Sequence, residues 1–267
     1  MEKINNKINN AIIFAAGKGT RMSPLTQYIP KPLIKVRGIP LIERNIEYLK
    51  MLGINNISIV VGYLGDQFKY LQEKYGVKLI ENPDYETSNN ISSLYYSHNL
   101  FNNTLYIEGD LFIDDINVFK NAVSLIKENY NSIAFSQKNK QHNSEWGFVN
   151  DLLGNVIKHK LYKDSYNKNI WSGFLFLNED ICKEINEKIG EYYQNEKNKQ
   201  NYFETFLWTL KSKMKHISLG VNVINELDSF NDLLKIDETY SINLIPPYLL
   251  LVRLITIKKL ATFYLKQ

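Results

Sequence analysis

The run AAGKGTRMSPLTQYIPKPL, residues 15–33, follows directly on the apolar stretch AIIF, residues 11–14. An apolar run that ends in Ala-Ala-Gly reads as a buried strand feeding a tight turn. Gly17 and Gly19 let the chain bring backbone amides up to an anion with no Cβ in the way. Lys18, Arg21 and Lys31 add the cationic charge that a nucleoside triphosphate requires. Two common phosphate loops are excluded by spacing. No G-x-x-x-x-G-K-[ST] string occurs, and Met22 stands where a dinucleotide fingerprint needs its third glycine.

Outward from this turn, apolar runs rich in Ile and Val alternate with helical patterns, which predicts a doubly wound α/β fold, a mostly parallel sheet covered on both faces. Strands are expected over residues 11–14, 57–61, 77–81 and 104–108, with helices over 41–52, 65–74 and 90–99. In open sheets of this kind ligands bind at the carboxyl ends of the strands, so the Gly-rich turn and Asp110 should face one crevice. From about residue 133 the pattern shortens to strands over 132–136, 147–150, 156–160 and 171–177, then a helix over 179–194. A helix over 202–213, a last strand over 221–227 and a helix from about Phe230 complete the pattern. Asp228, just ahead of that helix, could serve as its N-cap or as a site carboxylate.

The chain has 267 residues, 44% of them hydrophobic, which fits one large domain with a well-buried core. A net charge of +4, with no basic cluster interleaved with aromatics, gives no footprint for nucleic acid. The lone cysteine, Cys182, excludes an internal disulfide and a Cys-based metal site. Residues 1–10 are polar and lack the apolar core of a signal peptide, so a cytoplasmic protein is expected. The histidines, His98, His142, His159 and His216, have no spacing that suggests a metal or a relay, and surface or structural roles are expected for them.

Arg21, Pro24, Leu25 and Thr26, followed by Pro30-Lys31-Pro32-Leu33, resemble in type and spacing the signature of the sugar-phosphate nucleotidyltransferase superfamily. Those enzymes join a nucleoside triphosphate to a phosphorylated small molecule and release pyrophosphate. The resemblance implies that Asp110, in the string IEGD, and Asp228, in NELD, hold Mg2+. It also implies that residues 1–240 form the nucleotidyltransferase domain, with an antiparallel extension at about 133–200 over the acceptor. The strings NNISSLY (residues 89–95), Ser144-Glu145-Trp146, Trp171-Ser172-Gly173 and ELDSFND (residues 226–232) are similar to those of bacterial CTP:phosphocholine cytidylyltransferases.

That similarity assigns expected roles. Arg21, Lys31, Asp110 and Asp228 are the catalytic candidates. Ala15, Ala16, Gly17, Lys18, Gly19, Thr20, Asn89, Ser92 and Ser93 are the nucleotide-binding candidates, with cytosine read by the Ala15–Gly17 backbone and by Asn89 or the Ser92 and Ser93 hydroxyls. Choline's quaternary ammonium has no N–H to donate, so recognition falls to aromatic faces, each worth about 0.5–2 kcal/mol, with a carboxylate nearby. Glu145, Trp146, Trp171, Tyr202 and Trp208 are the acceptor candidates, and Tyr162, Phe203 and Glu204 lie in the same aromatic-rich quarter. Other acceptors fit the same motifs: 2-aminoethylphosphonate, phosphoethanolamine, a phospho-amino acid or a sugar-1-phosphate. A catalytically silent nucleotide sensor is the alternative from another class. The tail, residues 241–267, places Arg253, Thr256, Lys259, Thr262 and Lys266 on one stripe of an otherwise apolar helix. It suggests packing on its own domain, a homodimer contact or attachment to a membrane surface.

Overall fold

The computed structural model describes residues 8–129 and 131–242, so the expected tail helix lies outside the described residues. Four parallel strands form one half of a nine-stranded sheet: β1 (Asn10–Ala15), β2 (Ile57–Val61), β3 (Lys78–Glu81) and β4 (Thr104–Glu108). Period-two alternation splits β1 between two cores. Ala11, Ile13 and Ala15 face one apolar layer, and Ile12 and Phe14 face the other. The first layer is closed by α1 (Leu41–Met51), through Ile42, Ile46 and Leu49, and by α4 (Asn117–Glu128), through Phe119, Ala122, Val123 and Ile126. Between them in sequence lie the short α2 (Tyr70–Tyr75) and α3 (Ile91–Ser97). The second layer is closed by α3, α5 (Glu179–Gln194) and α6 (Phe203–Leu207). Asn178 caps α5, its side chain accepting from Ile181 N–H, with Glu179 and Asp180 favourably placed in the first turn.

The other half of the sheet is mostly antiparallel. β8 (Asn169–Leu177) pairs with β4 and with β5 (Ser132–Lys138), and the hairpin of β6 (Glu145–Asn150) and β7 (Val156–Tyr162) extends the edge. The doubly wound expectation is met up to β4 and extended by these strands, giving the path β7-β6-β8-β4-β1-β2-β3.

Some expected elements differ from the structure, and one helix was not expected. The helix expected over 202–213 stops at Leu207. Thr209 Oγ1 bonds the Phe206 carbonyl at 2.7 Å, and the Glu184 carboxylate on α5 takes the amides of Lys211 and Ser212 at 2.9 and 2.7 Å, which redirects the chain. The last strand is β9 (Met214–Val221), parallel to β5, rather than 221–227. Its Lys215, His216 and Ser218 break the apolar alternation that would have revealed it. After it the chain bends at Asn222, which has a positive φ, and only Asn225–Glu226 pairs again, antiparallel to Leu111–Phe112. Finally, α4 had no counterpart in the expected elements.

Candidate active site

The carboxyl ends of β1 and β4 lie side by side, Phe14 opposite Glu108, with Gly109 N–H donating to the Phe14 carbonyl at 2.9 Å. This register brings the Gly-rich turn and Asp110 to one crevice. Gly19 has φ +60°, and a Cβ there would lie 3.1 Å from the Lys31 Cβ and 3.2 Å from the Thr26 Cγ2. Thr26 Oγ1 in turn donates to the Gly19 carbonyl at 2.9 Å. The turn is therefore pressed against the helical turn Lys31–Leu33, held between Pro30 and Pro32, which carries Lys31 inward until only 7% of the residue is exposed.

Lys31 Nζ sits 2.6 Å from Asp110 Oδ2 and 3.0 Å from Asp228 Oδ1, and Arg21 approaches the same Asp228 oxygen at 2.7 Å. The ladder of Asn225–Glu226 on Leu111–Phe112, together with the Leu227 amide on the Asp110 carbonyl at 3.2 Å, fixes the approach of these distant segments. Asp228 does not cap the next helix. That is done by Ser229, in a reciprocal capping box with Asp232 at the start of α7 (Phe230–Ile236). Burial pulls the Lys31 ammonium down, and the charges of Asp110, Asp228 and Glu226 more than reverse it, so Lys31 is firmly cationic. Burial also works against the Asp228 carboxylate, and Lys31 and Arg21 hold it below the usual range.

Glu108 and Glu226 went unassigned in the sequence, yet their carboxylate oxygens and that of Asp110 all lie within 4.8 Å of one another. Burial, then Asp110 and Glu204, pushes the Glu108 carboxyl well up. The Glu226 carboxyl opens to the cleft but is ringed by protein, and burial with Asp110 and Glu108 pushes it up as well. A cluster of hard oxygen donors with too little positive charge around it fits a divalent cation such as Mg2+. The expected metal pair was Asp110 and Asp228. Those two share the Lys31 ammonium, whereas the close carboxylate group joins Asp110 to Glu108 and Glu226.

Two cavities open on either side of this cluster. One, of about 430 Å³, is lined by Ala15, Ala16, Gly17 and Gly19 of the turn and by Asn82, Asn89, Ser92, Ser93 and Tyr106. Ser92 and Ser93 are buried. Their hydroxyls accept from the Asn82 amide at 2.9 and 3.1 Å, and Ser92 donates to the Asn89 carbonyl. Both line the cavity, as expected of nucleotide-side residues, and they also hold Asn82, a further lining residue that the sequence left unmarked. Lys18 pairs with Glu86 at 2.8 Å on the surface, and neither it nor Thr20 is among the residues lining this cavity.

The second cavity, of about 360 Å³, gathers the five expected acceptor residues, Glu145, Trp146, Trp171, Tyr202 and Trp208, from four separate elements and loops. Gly173, at φ +71°, makes this possible. A Cβ there would stand 2.7 Å from Glu108 Oε2, and the register of β8 on β5 shifts across this point. Trp171 Nε1 donates to Glu108 Oε1 at 3.1 Å, and Trp208 Nε1 donates to His159 Nδ1 at 2.5 Å. Of the surface and structural roles expected for it, His159 takes the structural one, in the cavity wall, where burial lowers its pKa. Phe203 is fully buried in the core against Phe14 and Tyr106. Glu204 lines the cavity from a buried position, its carboxyl raised to about 7 by burial. Arg21, Asn90, Glu108 and Glu226 line both cavities, so two ligands would meet at the carboxylate cluster.

The nucleotidyl transferase family profile matches residues 10–221, the span that carries this cleft. The chain belongs to the nucleotidyl transferase family. It is 36% identical to the choline-phosphate cytidylyltransferase of Streptococcus pneumoniae, covering 85% of this chain and 96% of that one. It is 33% identical to the 2-aminoethylphosphonate cytidylyltransferase of Lancefieldella rimae, covering 88% and 95%. The solved CTP:phosphocholine cytidylyltransferase from Streptococcus pneumoniae superimposes with a TM-score of 0.76 at 34% identity, over 86% of this chain and 98% of that one. No helix among the described residues is long and apolar enough to cross a membrane.

Proposed function

We propose that this nucleotidyltransferase transfers CMP from CTP to phosphocholine, giving CDP-choline and pyrophosphate. The observation that carries the reading is the pair of cavities that share Arg21, Glu108 and Glu226, one fronted by the Gly-rich turn and Lys31 and the other walled by Trp146, Trp171, Tyr202 and Trp208. The named activities of the relatives support it. A phosphate oxygen of the acceptor, already ionised at neutral pH, attacks the α-phosphorus. The bond to the bridging oxygen breaks, and pyrophosphate leaves with its electron pair. No proton has to move, so alignment and neutralisation of charge carry the catalysis.

Lys31, buried and cationic, is assigned to the region between the two phosphates, where negative charge crowds as they approach. Arg21 is assigned to the β- and γ-phosphates. Asp110, with Glu108, Glu226 and Asp228 around it, is assigned to Mg2+, which when bound neutralises the α-phosphate and the departing pyrophosphate. The buried Cys182 thiol, pushed up to about 12 by burial, is inert and suits the reducing cytoplasm to which we assign the enzyme.

A second reading keeps the reaction and changes the acceptor to 2-aminoethylphosphonate. Glu145 and Glu204 line the acceptor cavity, and a primary ammonium can donate hydrogen bonds to carboxylates where a quaternary one cannot. A pyrophosphate-release screen of the four ribonucleoside triphosphates against phosphocholine, phosphoethanolamine, 2-aminoethylphosphonate and sugar-1-phosphates tests both. Preference for CTP with phosphocholine is the expected result, and preference for another acceptor overturns the choline assignment.

A further inference from the structure

Asn90 lines both cavities and has two different ends. Its side-chain oxygen accepts from the Phe203 amide, at the first residue of α6, over 2.8 Å. Because that partner is an obligate donor, the hydrogen bond decides which end of the carboxamide is oxygen and which is nitrogen. The amide nitrogen therefore points its two donors elsewhere, and it has no protein partner among the described residues. Meanwhile α6 carries much of the acceptor wall: Tyr202 immediately precedes it, Glu204 lies within it and Trp208 follows it.

The surrounding backbone is cross-linked in the same sense. Asn89 N–H and Ser88 Oγ both donate to the Lys199 carbonyl at 2.7 Å, and the Gln200 amide donates to the Thr87 carbonyl at 2.8 Å. Segments 87–90 and 199–203 are thus held as one piece, with a nucleotide-side edge and an acceptor-side edge. An amide donor at the seam suits an oxygen of the nucleotide, whether phosphoryl, ribose or carbonyl.

We propose that Asn90 is a positioning residue that couples the two subsites, so that a nucleotide oxygen taken by its amide nitrogen fixes the carboxamide and, through Phe203, sets Tyr202 and Glu204 for the acceptor. This rests on the assignment of the two cavities to CTP and phosphocholine. Coupling of this kind is reciprocal and is measured as a ratio of affinities.

The test is titration calorimetry of the full-length protein with phosphocholine, alone and with saturating α,β-methylene-CTP, whose α–β linkage cannot be cleaved. For the unaltered protein the analogue is expected to tighten phosphocholine about tenfold, within the usual range of coupling between sites. Asn90→Ala removes both ends and is expected to bring that ratio close to one. Asn90→Asp keeps the oxygen that accepts from Phe203 but loses the donors. Its nucleotide-free affinity for phosphocholine is expected to exceed that of Asn90→Ala while the tightening is lost, a split that a merely structural residue would not show. A ratio in Asn90→Asp equal to that of the unaltered protein overturns the proposal, as does absence of coupling in the unaltered protein. If Asn90→Ala fails to fold by circular dichroism, Asn90→Asp alone decides. Failure of phosphocholine to release pyrophosphate breaks the functional reading instead, and the same ratio is then measured with the acceptor that turns over.

Discussion

Along the nucleotide cavity the chain presents Phe14 to Gly17 as one unbroken run, with Lys31 folded back so close to Gly19 that a Cβ there would stand 3.1 Å from the Lys31 Cβ. The acceptor cavity has only the shorter run Ser144 to Trp146 and is otherwise scattered along the chain. It draws Trp146 and Phe148 from β6, His159 and Leu161 from β7, Trp171 from β8, and Tyr202, Glu204 and Trp208 from around α6. A wall made of contiguous backbone is set by strand order and glycine geometry. One made of scattered side chains is set by the packing of four elements, and it can change its occupant without disturbing the first. The relatives illustrate this: proteins named for phosphocholine and for 2-aminoethylphosphonate resemble this chain to nearly the same degree, 36% and 33%.

The largest effect is expected where the two halves meet. Asp110→Ala should lower turnover by about 10³-fold or more with little change in thermal midpoint, because it removes a carboxylate assigned to the cation and no core packing. Retention of more than a tenth of the activity would show that Glu108 and Glu226 suffice without it. Lys31→Ala should lower turnover by about 10²-fold, more than it weakens CTP binding, since its contact strengthens as the phosphates approach. Steady-state kinetics beside equilibrium CTP titration separates the two quantities. A raised CTP requirement at unchanged turnover would move Lys31 to binding alone, and the division between the halves would lose its hinge.

How much of this was legible in the sequence follows the same division. The Gly-rich turn, β1 to β4, Arg21, Lys31, Asp110 and Asp228 could be read because each lies in a local string whose geometry is dictated within a few residues. Glu108 and Glu226 were hidden, since their importance lies in mutual proximity across 118 residues of sequence, brought about by the ladder of Asn225–Glu226 on Leu111–Phe112. Asn82 was hidden because an Asn after a strand reads as a turn residue. The premature end of α6 was illegible because its cause is Glu184, a residue of another helix. For His159 the sequence left a surface and a structural role open, because its alternation on an exposed edge strand says nothing about the tryptophan it accepts from.

On the acceptor side alone, Trp146→Ala should raise the Michaelis constant for phosphocholine about tenfold, the equivalent of 1–2 kcal/mol, and leave CTP binding within about twofold. The ring is 41% exposed and packs edge-on against His159, so its removal should cost little stability. An equal loss for both substrates would erase the distinction between the halves.

The smallest effect probes the support of the acceptor wall from outside the cleft. Glu184 holds the turn after α6 through the amides of Lys211 and Ser212 and pairs with Lys188 at 2.9 Å. Burial alone would raise its carboxyl. The Ser212 hydroxyl, Lys188 and the two amides outweigh burial and bring it down to about 2. A carboxyl lowered in the folded state contributes stability above its unfolded value, near 4.5, and that contribution fades as pH falls toward 2. Glu184→Gln should therefore cost about 1–2 kcal/mol at pH 7, trimmed by the solvent that reaches the carboxylate, and the gap to the unaltered protein should close in acid. Urea unfolding at pH 7 and at pH 3 reads this directly. Because the turn follows directly on Trp208, the same variant should raise the phosphocholine Michaelis constant up to about threefold with CTP binding unchanged. An effect on CTP as large as that on phosphocholine would mean that α6 supports both cavities equally, and the acceptor wall would no longer count as a separately built half.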